Sequence, residues 1–400
     1  MASQDVIVVG GGIIGSAIAL RLAQEKLRVL LLDQQEPGRE ASWAAAGMLS
    51  PAPDSPSSIP LVPFGRASLN LYPKFIAEIE ELSGQTSGYR SEGTIEVMFS
   101  AEAERELSTL VALHHGLGLP TEPLALEEAR EMEPALGREA RATAFLPYEA
   151  SVDPRALMGA VLGAARSAGV EIRPQTRVTR LLTKSGRCGG VLAAGENFVA
   201  GETILAAGAF SGRILGIPVS GVPGATASHG KDGAAAVETR PIRGQMVALR
   251  SAGPKLRRVL RCERGYIVPR GDSMPQHLVA GSTLEDAGFD KRVTPHGLEQ
   301  IFSTIQEMAP SLGAAEIVET WSGLRPDTPD HLPLLGPGAC LGLTVATGHY
   351  RNGILLAPIT AQLVREWITE QRVSMDWEIF NPQRFARARS GNDEPLGARA

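Results

Sequence analysis

Three glycines near the start of the chain have a spacing that suits the binding of a pyrophosphate. Gly10, Gly12 and Gly15 follow the apolar run DVIVV and precede a segment with helical spacing. The first permits a tight turn, the second lets phosphate approach the backbone, and the third lets helix and strand pack closely. Asp33 ends the next apolar run, where its carboxylate can accept both ribose hydroxyls. Although glycines alone also occur in turns that bind nothing, this arrangement predicts a dinucleotide site at a helix N-terminus.

Two further stretches suit a flat cofactor. The polar cluster GHYRNG at 348–353 stands directly before an apolar segment that predicts a helix, where an arginine opposes the helix dipole unless its guanidinium acts elsewhere. The small-residue stretch at 38–51, GREASWAAAGMLSP, leaves room for a ring system beside the backbone, although an ordinary loop is the alternative. Because no contiguous six-stranded unit fills the first half of the chain, these features favour FAD over NAD.

Hydrophobic periodicity predicts the elements that must position these residues. A strand at 5–9, a helix at 13–26 and a strand at 27–34 form one βαβ unit. Further helices are predicted at 69–83, 102–113, 154–168, 295–309 and 354–368. Further strands are predicted within 93–100, 170–184, 195–212, 240–250, 256–271 and 277–286.

Composition excludes several classes of protein. A net charge of -5 without a basic stripe gives no reason to expect nucleic acid. The three cysteines, Cys188, Cys262 and Cys340, are widely spaced, which argues against a disulfide framework or a zinc site and predicts no metal. No basic region precedes the first apolar run, and no apolar run is long enough to span a membrane. We therefore expect a soluble cytoplasmic protein.

Five motifs together resemble a known family. VIVVGGGIIGSAIALRLA, GREASWAAAGML, GYIVPR, WSGLRPDTPDHLPLLG and GHYRNGILLAPITAQLV follow one another along nearly the whole chain. They resemble the glycine oxidase branch of the D-amino-acid oxidase family of flavoproteins, the branch associated with thiamine biosynthesis. The resemblance implies noncovalent FAD and an α/β fold, in which a Rossmann-like FAD-binding domain is interleaved with an α+β substrate domain built on an antiparallel sheet. The implied FAD-binding segments are 1–75, 145–215 and 320–370, and the substrate domain comprises 76–144 and 240–319.

The resemblance also assigns residues to the site. Arg325 matches the arginine that holds the substrate carboxylate with two parallel hydrogen bonds, although an arginine before proline is more often a loop salt bridge. Tyr266 matches the tyrosine whose hydroxyl meets the same carboxylate, with a strand tyrosine buried in the core as the alternative. Arg351 would project toward the substrate entrance, while the following helix N-terminus would stabilise negative charge on the reduced flavin. The implied cofactor-binding residues are Gly10, Gly12, Ile14, Gly15, Asp33, Gln34, Ser42, Ala46, Gly47, Met48, Val178, Gly208, His349, Tyr350, Arg351, Asn352, Gly353, Ile354 and Leu355.

The implied reaction is oxidative deamination of glycine, or of sarcosine and small D-amino acids. Hydride transfer to flavin N5 would give glyoxylate or another oxo acid, ammonia and hydrogen peroxide, and the glycine imine would serve thiamine thiazole synthesis. The resemblance assigns no catalytic acid or base, so the amine must be neutral and activity should rise with pH. Dioxygen and a small amino acid are the expected partners of a homo-oligomer, a dimer or a tetramer.

Alternatives and departures stay open at this stage. The chain could be a D-amino-acid or proline dehydrogenase or oxidase, use a quinone as acceptor, or be a flavin subunit of a larger electron-transfer complex. The stretch 216–239, rich in Gly, Ala and Ser, is longer than the family's usual connection and is predicted to be a mobile loop. Arg264, two residues before Tyr266, is an unexpected charge if it faces the site. Residues 384–400 are expected to form a flexible tail.

Overall fold

The computed structural model describes residues 4–216 and 237–385, which form a mixed α/β structure. The strands in this part of the chain are β1 (Gln4–Val9), β2 (Val29–Leu32), β3 (Met48–Leu49), β4 (Thr94–Met98), β5 (Glu122–Leu124), β6 (Ala142–Leu146), β7 (Ala150–Ser151), β8 (Glu171–Arg173), β9 (Val178–Lys184), β10 (Arg187–Ala193), β11 (Glu196–Leu205), β12 (Arg240–Ser251), β13 (Val259–Cys262), β14 (Gly265–Arg270), β15 (Gln276–Gly281), β16 (Glu316–Asp327), β17 (Leu334–Pro337) and β18 (Leu343–Thr347). The α-helices are α1 (Ile13–Gln24), α2 (Ala41–Ala44), α3 (Val62–Ser83), α4 (Ala101–Gly116), α5 (Leu126–Met132), α6 (Pro154–Ser167), α7 (Pro295–Met308) and α8 (Gly353–Glu370).

The first large sheet contains the predicted βαβ unit. Its strand order is β17-β18-β11-β1-β2-β8, with β9 and β10 added beside β11. The strand β1 pairs in parallel with both β2 and β11, and β18 is parallel to β11. All four residues of β2 are buried, as expected for a parallel strand that is covered on both faces. This order brings the carboxyl ends of the parallel strands to one edge, where ligands bind in open α/β sheets.

Four helices cover one face of this sheet. The helices α1, α3, α6 and α8 share one hydrophobic core with residues of β1 and β2. Helix α1 fits tightly because a Cβ at Gly15 would lie 2.0 Å from the Gly10 carbonyl oxygen. Two side chains of α3 bind the first turn of α8, since Tyr72 Oη donates to the Ile354 carbonyl (2.5 Å) and Ser68 Oγ donates to the Leu355 carbonyl (2.6 Å). The N-terminus of α8 is therefore held firmly against the body of the protein.

The second large sheet is mainly antiparallel. Its order is β16-β12-β15-β14-β13-β4-β6-β5, and only the β13–β4 pair among these described strands is parallel. The long strands β12 and β16 pair along most of their length. Helix α7 packs on this sheet, and the helix and the sheet share a second hydrophobic core. None of the helices in the described ranges is long and apolar enough to cross a membrane.

Several boundaries differ from those predicted. Helix α3 begins at Val62 rather than at residue 69, because Pro63 is tolerated in a first helical turn. The predicted domain boundaries at 145 and 320 fall inside β6 and β16, so that residues 145–146 and 320–327 belong to the second sheet. The boundary at 320 falls inside β16 because this strand stays hydrogen-bonded to β12 on both sides of residue 320. The assignment of the two sheets to separate domains stays a prediction.

Two predicted segments lie mostly outside the described residues. Of the connection predicted at 216–239, residues 217–236 are not among the described ones, and neither are residues 386–400 of the predicted tail. Arg384, the first residue of the predicted tail, is among the described residues. The Arg384 guanidinium pairs with Asp330 (2.8 Å) and also donates to backbone carbonyls, among them that of Pro333 (2.9 Å).

Candidate active site

A cavity of about 440 Å³ lies where the carboxyl ends of the first sheet face the second sheet. Its wall is formed by segments from the whole length of the chain, between Val9 and Ile354. The predicted site residues that line it are Gly10, Gly12, Ile14, Asp33, Gln34, Ser42, Ala46, Gly47, Met48, Val178, Gly208, Tyr266, Arg325, His349, Tyr350, Arg351, Gly353 and Ile354. Gly15, Asn352 and Leu355 lie outside the lining: Gly15 belongs to α1 and packs against Gly10, Asn352 precedes α8, and Leu355 belongs to the core.

One end of the cavity is formed by the N-terminus of α1. Gly12 is the residue before this helix, and Ser42 Oγ accepts a hydrogen bond from the Ile13 amide (2.9 Å). A Cβ at Gly12 would have only Ser42 Oγ within 4 Å, at 3.2 Å, so the glycine leaves open space in front of the helix. First-turn amides and the positive end of the helix dipole favour an anion here. The place is therefore suited to a pyrophosphate.

Asp33 stands beside this helix end, at the end of β2. Its Oδ2 accepts from the Gly11 amide (2.7 Å) and its Oδ1 from the Gln35 amide (2.8 Å). Burial raises the pKa of Asp33 above its ordinary value. The carboxylate thus holds the glycine-rich turn in place, a role that the sequence did not predict. Each oxygen of a carboxylate has a second acceptor site, so ribose hydroxyls can still bind.

The loop 44–48, which runs from the last residue of α2 to the first residue of β3, lines the cavity, and side chains from other segments bind its carbonyl groups. Trp321 Nε1 donates to the Ala44 carbonyl (3.1 Å), and Arg270 donates to the Ala46 carbonyl (2.5 Å) and to the Val152 carbonyl (2.8 Å). Burial lowers the pKa of Arg270 to about 10. Sequence reasoning missed Arg270, although it is the last residue of the motif GYIVPR.

At the opposite end, Arg325 points its guanidinium at the cavity. Nη1 donates to the carbonyls of Arg243 (3.3 Å) and Thr283 (3.2 Å), and Nη2 donates to Ser282 Oγ (2.7 Å). A guanidinium has five N–H donors, of which one on Nε and one on Nη2 remain, and the Tyr266 hydroxyl is a further hydrogen-bond partner of the group. These two nitrogens share one edge, which is the arrangement that a carboxylate accepts with two parallel hydrogen bonds.

Arg325 is a partly buried charge without an anion beside it. No carboxylate of the described residues lies within salt-bridge distance, and burial lowers the pKa of Arg325. Arginine nevertheless remains protonated in proteins. A buried charge without a partner is costly unless a ligand supplies one. Tyr266 lies close by, with its buried ring in the lining and its hydroxyl 3.4 Å from Met246 Sδ.

The polar cluster at 348–353 returns to the cavity between β18 and α8. Tyr350 adopts a left-handed backbone conformation (φ 47°), and its amide donates to the Pro326 carbonyl (2.9 Å). His349 Nε2 lies 3.0 Å from Thr360 Oγ1, and burial lowers the pKa of His349 to about 3. The imidazole is therefore neutral at physiological pH. Helix α8 starts at Gly353, with no side chain capping its first amides.

The structure also places the two other arginines that the sequence singled out. Arg351 lines the cavity, and its Nη1 pairs with Asp54 (2.5 Å), while both side chains are about half exposed, at 42% and 44%. The role of Arg351 at the substrate entrance stays a prediction. Arg264 does not line the cavity, because it pairs with Glu307 on the outer side of the second sheet. The concern that Arg264 adds a charge to the site is thereby removed.

FAD fits these features. The cavity is lined by the N-terminus of α1, the loop 44–48 and the first residues of α8, and Gly12 keeps the place in front of α1 open for a phosphate. Val178 and Thr179, at the start of β9, also line it, as does Asp33. None of the three cysteines, all of which lie in the described ranges, lines the cavity.

Comparisons with known proteins agree with this architecture. A family model described as FAD dependent oxidoreductase (DAO) matches residues 5–367. The chain is 35% identical over 390 residues to the bifunctional protein ThiO/ThiG of Synechocystis sp.. The matched region includes 96% of this chain but only 54% of that relative. This chain thus spans about half of the length of such bifunctional relatives. It is also 35% identical to the glycine oxidase of Geobacillus kaustophilus, over 94% of the chain and 96% of the relative.

Solved structures give the same result. The crystal structure of glycine oxidase from Geobacillus kaustophilus superposes with a TM-score of 0.86 at 32% identity, covering 96% of this chain and 99% of that one. Glycine oxidase from Bacillus cereus superposes with a TM-score of 0.82 at 27% identity, covering 94% and 97%. The match of the family model to most of the chain, together with these similarities, shows that the chain belongs to the DAO family of FAD-dependent oxidoreductases.

Proposed function

We propose that this protein oxidises glycine, and secondarily sarcosine or small D-amino acids, with noncovalently bound FAD. The products are the oxo acid, which is glyoxylate for glycine, together with ammonia and hydrogen peroxide. The observation that carries this proposal is Arg325, a partly buried cation that lines the cavity and has no carboxylate of the described residues beside it. An α-amino acid supplies the missing anion. The glycine oxidases among the relatives support glycine as the preferred substrate.

The residues of the chain bind and orient the substrate. Arg325 holds the carboxylate, and the Tyr266 hydroxyl adds a hydrogen bond on the same group. Gly244 and Gly323 line the cavity next to Arg325. Fixing the carboxylate at one end leaves the α-carbon a narrow range of positions, and such orientation is a large part of catalysis. When bound, FAD supplies the electron acceptor and passes the electrons to dioxygen.

The electrostatics of the lining favour negative charge near the ring. The N-terminus of α8 brings its first amides and its positive dipole end to the cavity, next to the neutral His349. The carboxylates in the described lining, Asp33 and Glu40, belong to the opposite end, near the glycine-rich turn. Donors placed in advance where charge develops stabilise it at little cost.

The same distribution of groups leads to a prediction on pH. No carboxylate of the described lining stands near Arg325, and His349, with a pKa of about 3, does not titrate above pH 5. The substrate amine must therefore lose its proton to solvent. Below the pKa of that amine, we expect kcat/KM for glycine to rise about tenfold per pH unit. Peroxide release between pH 6 and pH 10 measures this profile, and a bell centred near pH 7 would show that a protein base acts instead.

A substrate panel tests the proposed function. Purified protein with FAD should release peroxide from glycine, sarcosine, D-alanine and D-proline, with the highest kcat/KM for glycine. Reduction of a quinone or dye without peroxide would indicate a dehydrogenase, and preference for proline would place the chain in that alternative class. Activity that appears only in a larger complex, as seen by size exclusion, would indicate a flavin subunit.

We further propose the setting in which this activity works. Free Cys188, Cys262 and Cys340 agree with a reducing, cytoplasmic location. Relatives named ThiO/ThiG support a role in supplying glycine imine for thiamine thiazole synthesis. A homo-oligomer completes this proposal, together with a division into an FAD-binding and a substrate domain.

A further inference from the structure

Two glycines face each other in neighbouring strands beneath the cavity. Gly244 of β12 is paired in register with Gly323 of β16, and both line the cavity. Arg325 follows two residues after Gly323, on the same face of β16. Glycine weakens a strand and often marks a place where another group approaches the backbone closely. Here two different groups make that approach.

The first group is the guanidinium of Arg325. A Cβ at Gly244 would lie 2.3 Å from both Nη1 and Nη2 of Arg325 and 2.5 Å from Cζ. The guanidinium therefore occupies the volume that a side chain at position 244 would need. In that position it donates to the Thr283 carbonyl and to Ser282 Oγ, and these contacts hold the guanidinium in one orientation.

The second group is the loop 44–48. A Cβ at Gly323 would lie 2.4 Å from the Cβ of Ala44, the residue that ends α2. The Trp321 indole, two residues before Gly323, donates to the Ala44 carbonyl (3.1 Å) and holds the loop down on the strand. The absence of a side chain at position 323 sets how closely the loop approaches the sheet.

We propose that Gly244 and Gly323 are a pair of positioning residues that fixes the carboxylate-binding arginine and the cofactor-facing loop against one piece of sheet. Gly244 sets the place of the Arg325 guanidinium, and Gly323 sets the place of the loop 44–48. Gly244 and Gly323 are paired in neighbouring strands. The distance between the carboxylate site and the loop 44–48 is therefore set by the pairing of β12 with β16. This inference rests on the proposed function, which makes Arg325 the carboxylate ligand.

The same substitution at the two positions should give different defects. Gly244→Ala displaces only the end of a flexible side chain, so we expect normal FAD content and an unchanged melting temperature. The dissociation constant of acetate, read from the flavin absorption spectrum, and the KM of glycine should rise roughly tenfold to a hundredfold. Gly323→Ala displaces the loop, so the dissociation constant of FAD, read by flavin fluorescence, should rise about tenfold or more.

Two double variants separate positioning from general damage. Ala44→Gly removes the atom that a new Cβ at position 323 would meet, so Ala44→Gly with Gly323→Ala should restore FAD affinity. In an Arg325→Ala background, Gly244→Ala should have almost no further effect on acetate, because its target is gone. Gly189→Ala is the matched control, since a Cβ there has only the Leu182 carbonyl oxygen nearby, at 4.0 Å.

The outcomes distinguish this inference from the proposed function. Unchanged acetate affinity in Gly244→Ala, with a loss in Arg325→Ala, would overturn the positioning role and leave the function intact. Unchanged acetate affinity in Arg325→Ala would overturn the carboxylate assignment itself. Equal loss of FAD in both glycine variants, or no rescue by Ala44→Gly, would show that the glycines serve only the stability of the sheet.

Discussion

Arg325→Ala is expected to weaken the binding of glycine by roughly 30-fold to several thousandfold, while FAD stays bound. Removal of a charge-assisted bidentate pair from a water-poor place costs on the order of 2–5 kcal/mol. The acceptors that Arg325 already has, Ser282 Oγ and two backbone carbonyls, are neutral. The substrate carboxylate would therefore be the anion that pairs with its charge. Steady-state KM and the dissociation constant of acetate measure the loss.

Comparison variants make this test specific. Arg325→Lys keeps the charge but not the fork, so it should recover only part of the affinity. Arg264→Ala is the matched control, because that arginine pairs with Glu307 outside the cavity, and its KM should be unchanged. An amine without a carboxylate should be almost indifferent to the loss of Arg325. If Arg325→Ala bound glycine with unchanged affinity, the carboxylate would have to be bound by Arg351 instead.

Gly12→Val is expected to abolish FAD retention without unfolding the chain. The backbone of Gly12 is extended (φ -71°), a conformation that valine adopts readily, so the fold tolerates the change. The new side chain fills the space in front of α1, where the pyrophosphate would meet the first amides of the helix. Without those contacts, the two negative charges of the pyrophosphate lose their stabilisation by the N-terminus of α1.

Flavin content and circular dichroism check this prediction together. Acid precipitation of the unsubstituted protein should leave about one FAD per chain in solution, as expected for noncovalent binding. The valine variant should release almost none, with helix content preserved, and Gly12→Ala should lie between the two. A full equivalent of flavin in the valine variant would place the phosphates elsewhere, and flavin that stays with the precipitate would contradict noncovalent binding.

Local patterns were enough to predict the elements around the glycine-rich turn. The strand, helix and second strand of the βαβ unit, and the long strand at 240–251, follow the predicted spans closely. Apolar runs and helical spacing are properties of neighbouring residues, so the sequence contains them directly. The α/β fold class and the flavoprotein family were predicted correctly, because five motifs in order leave few alternatives.

Contacts between distant segments could not be predicted in the same way. Arg351 pairs with Asp54, and Arg270 holds the loop at Ala46, although nothing in their local sequence indicates either partner. Asp33 was expected to serve ribose alone, yet its oxygens also hold the Gly11 and Gln35 amides. Side-chain direction depends on sheet order and on which segment lies opposite. The close approach of Arg325 to Gly244 likewise exists only after β12 and β16 have paired.

The interleaving of the first sheet has a consequence for protein synthesis. The strand β1 leaves the ribosome well before its second neighbour, β11, which follows only at residues 196–205. The cavity needs still later segments, since Arg325 and the turn before α8 complete its wall. At about 5–20 residues per second, the glycine-rich turn waits on the order of tens of seconds for these partners. Capture of the cofactor is therefore a late event, and a chain interrupted before α8 would carry the nucleotide-binding motif without a closed site.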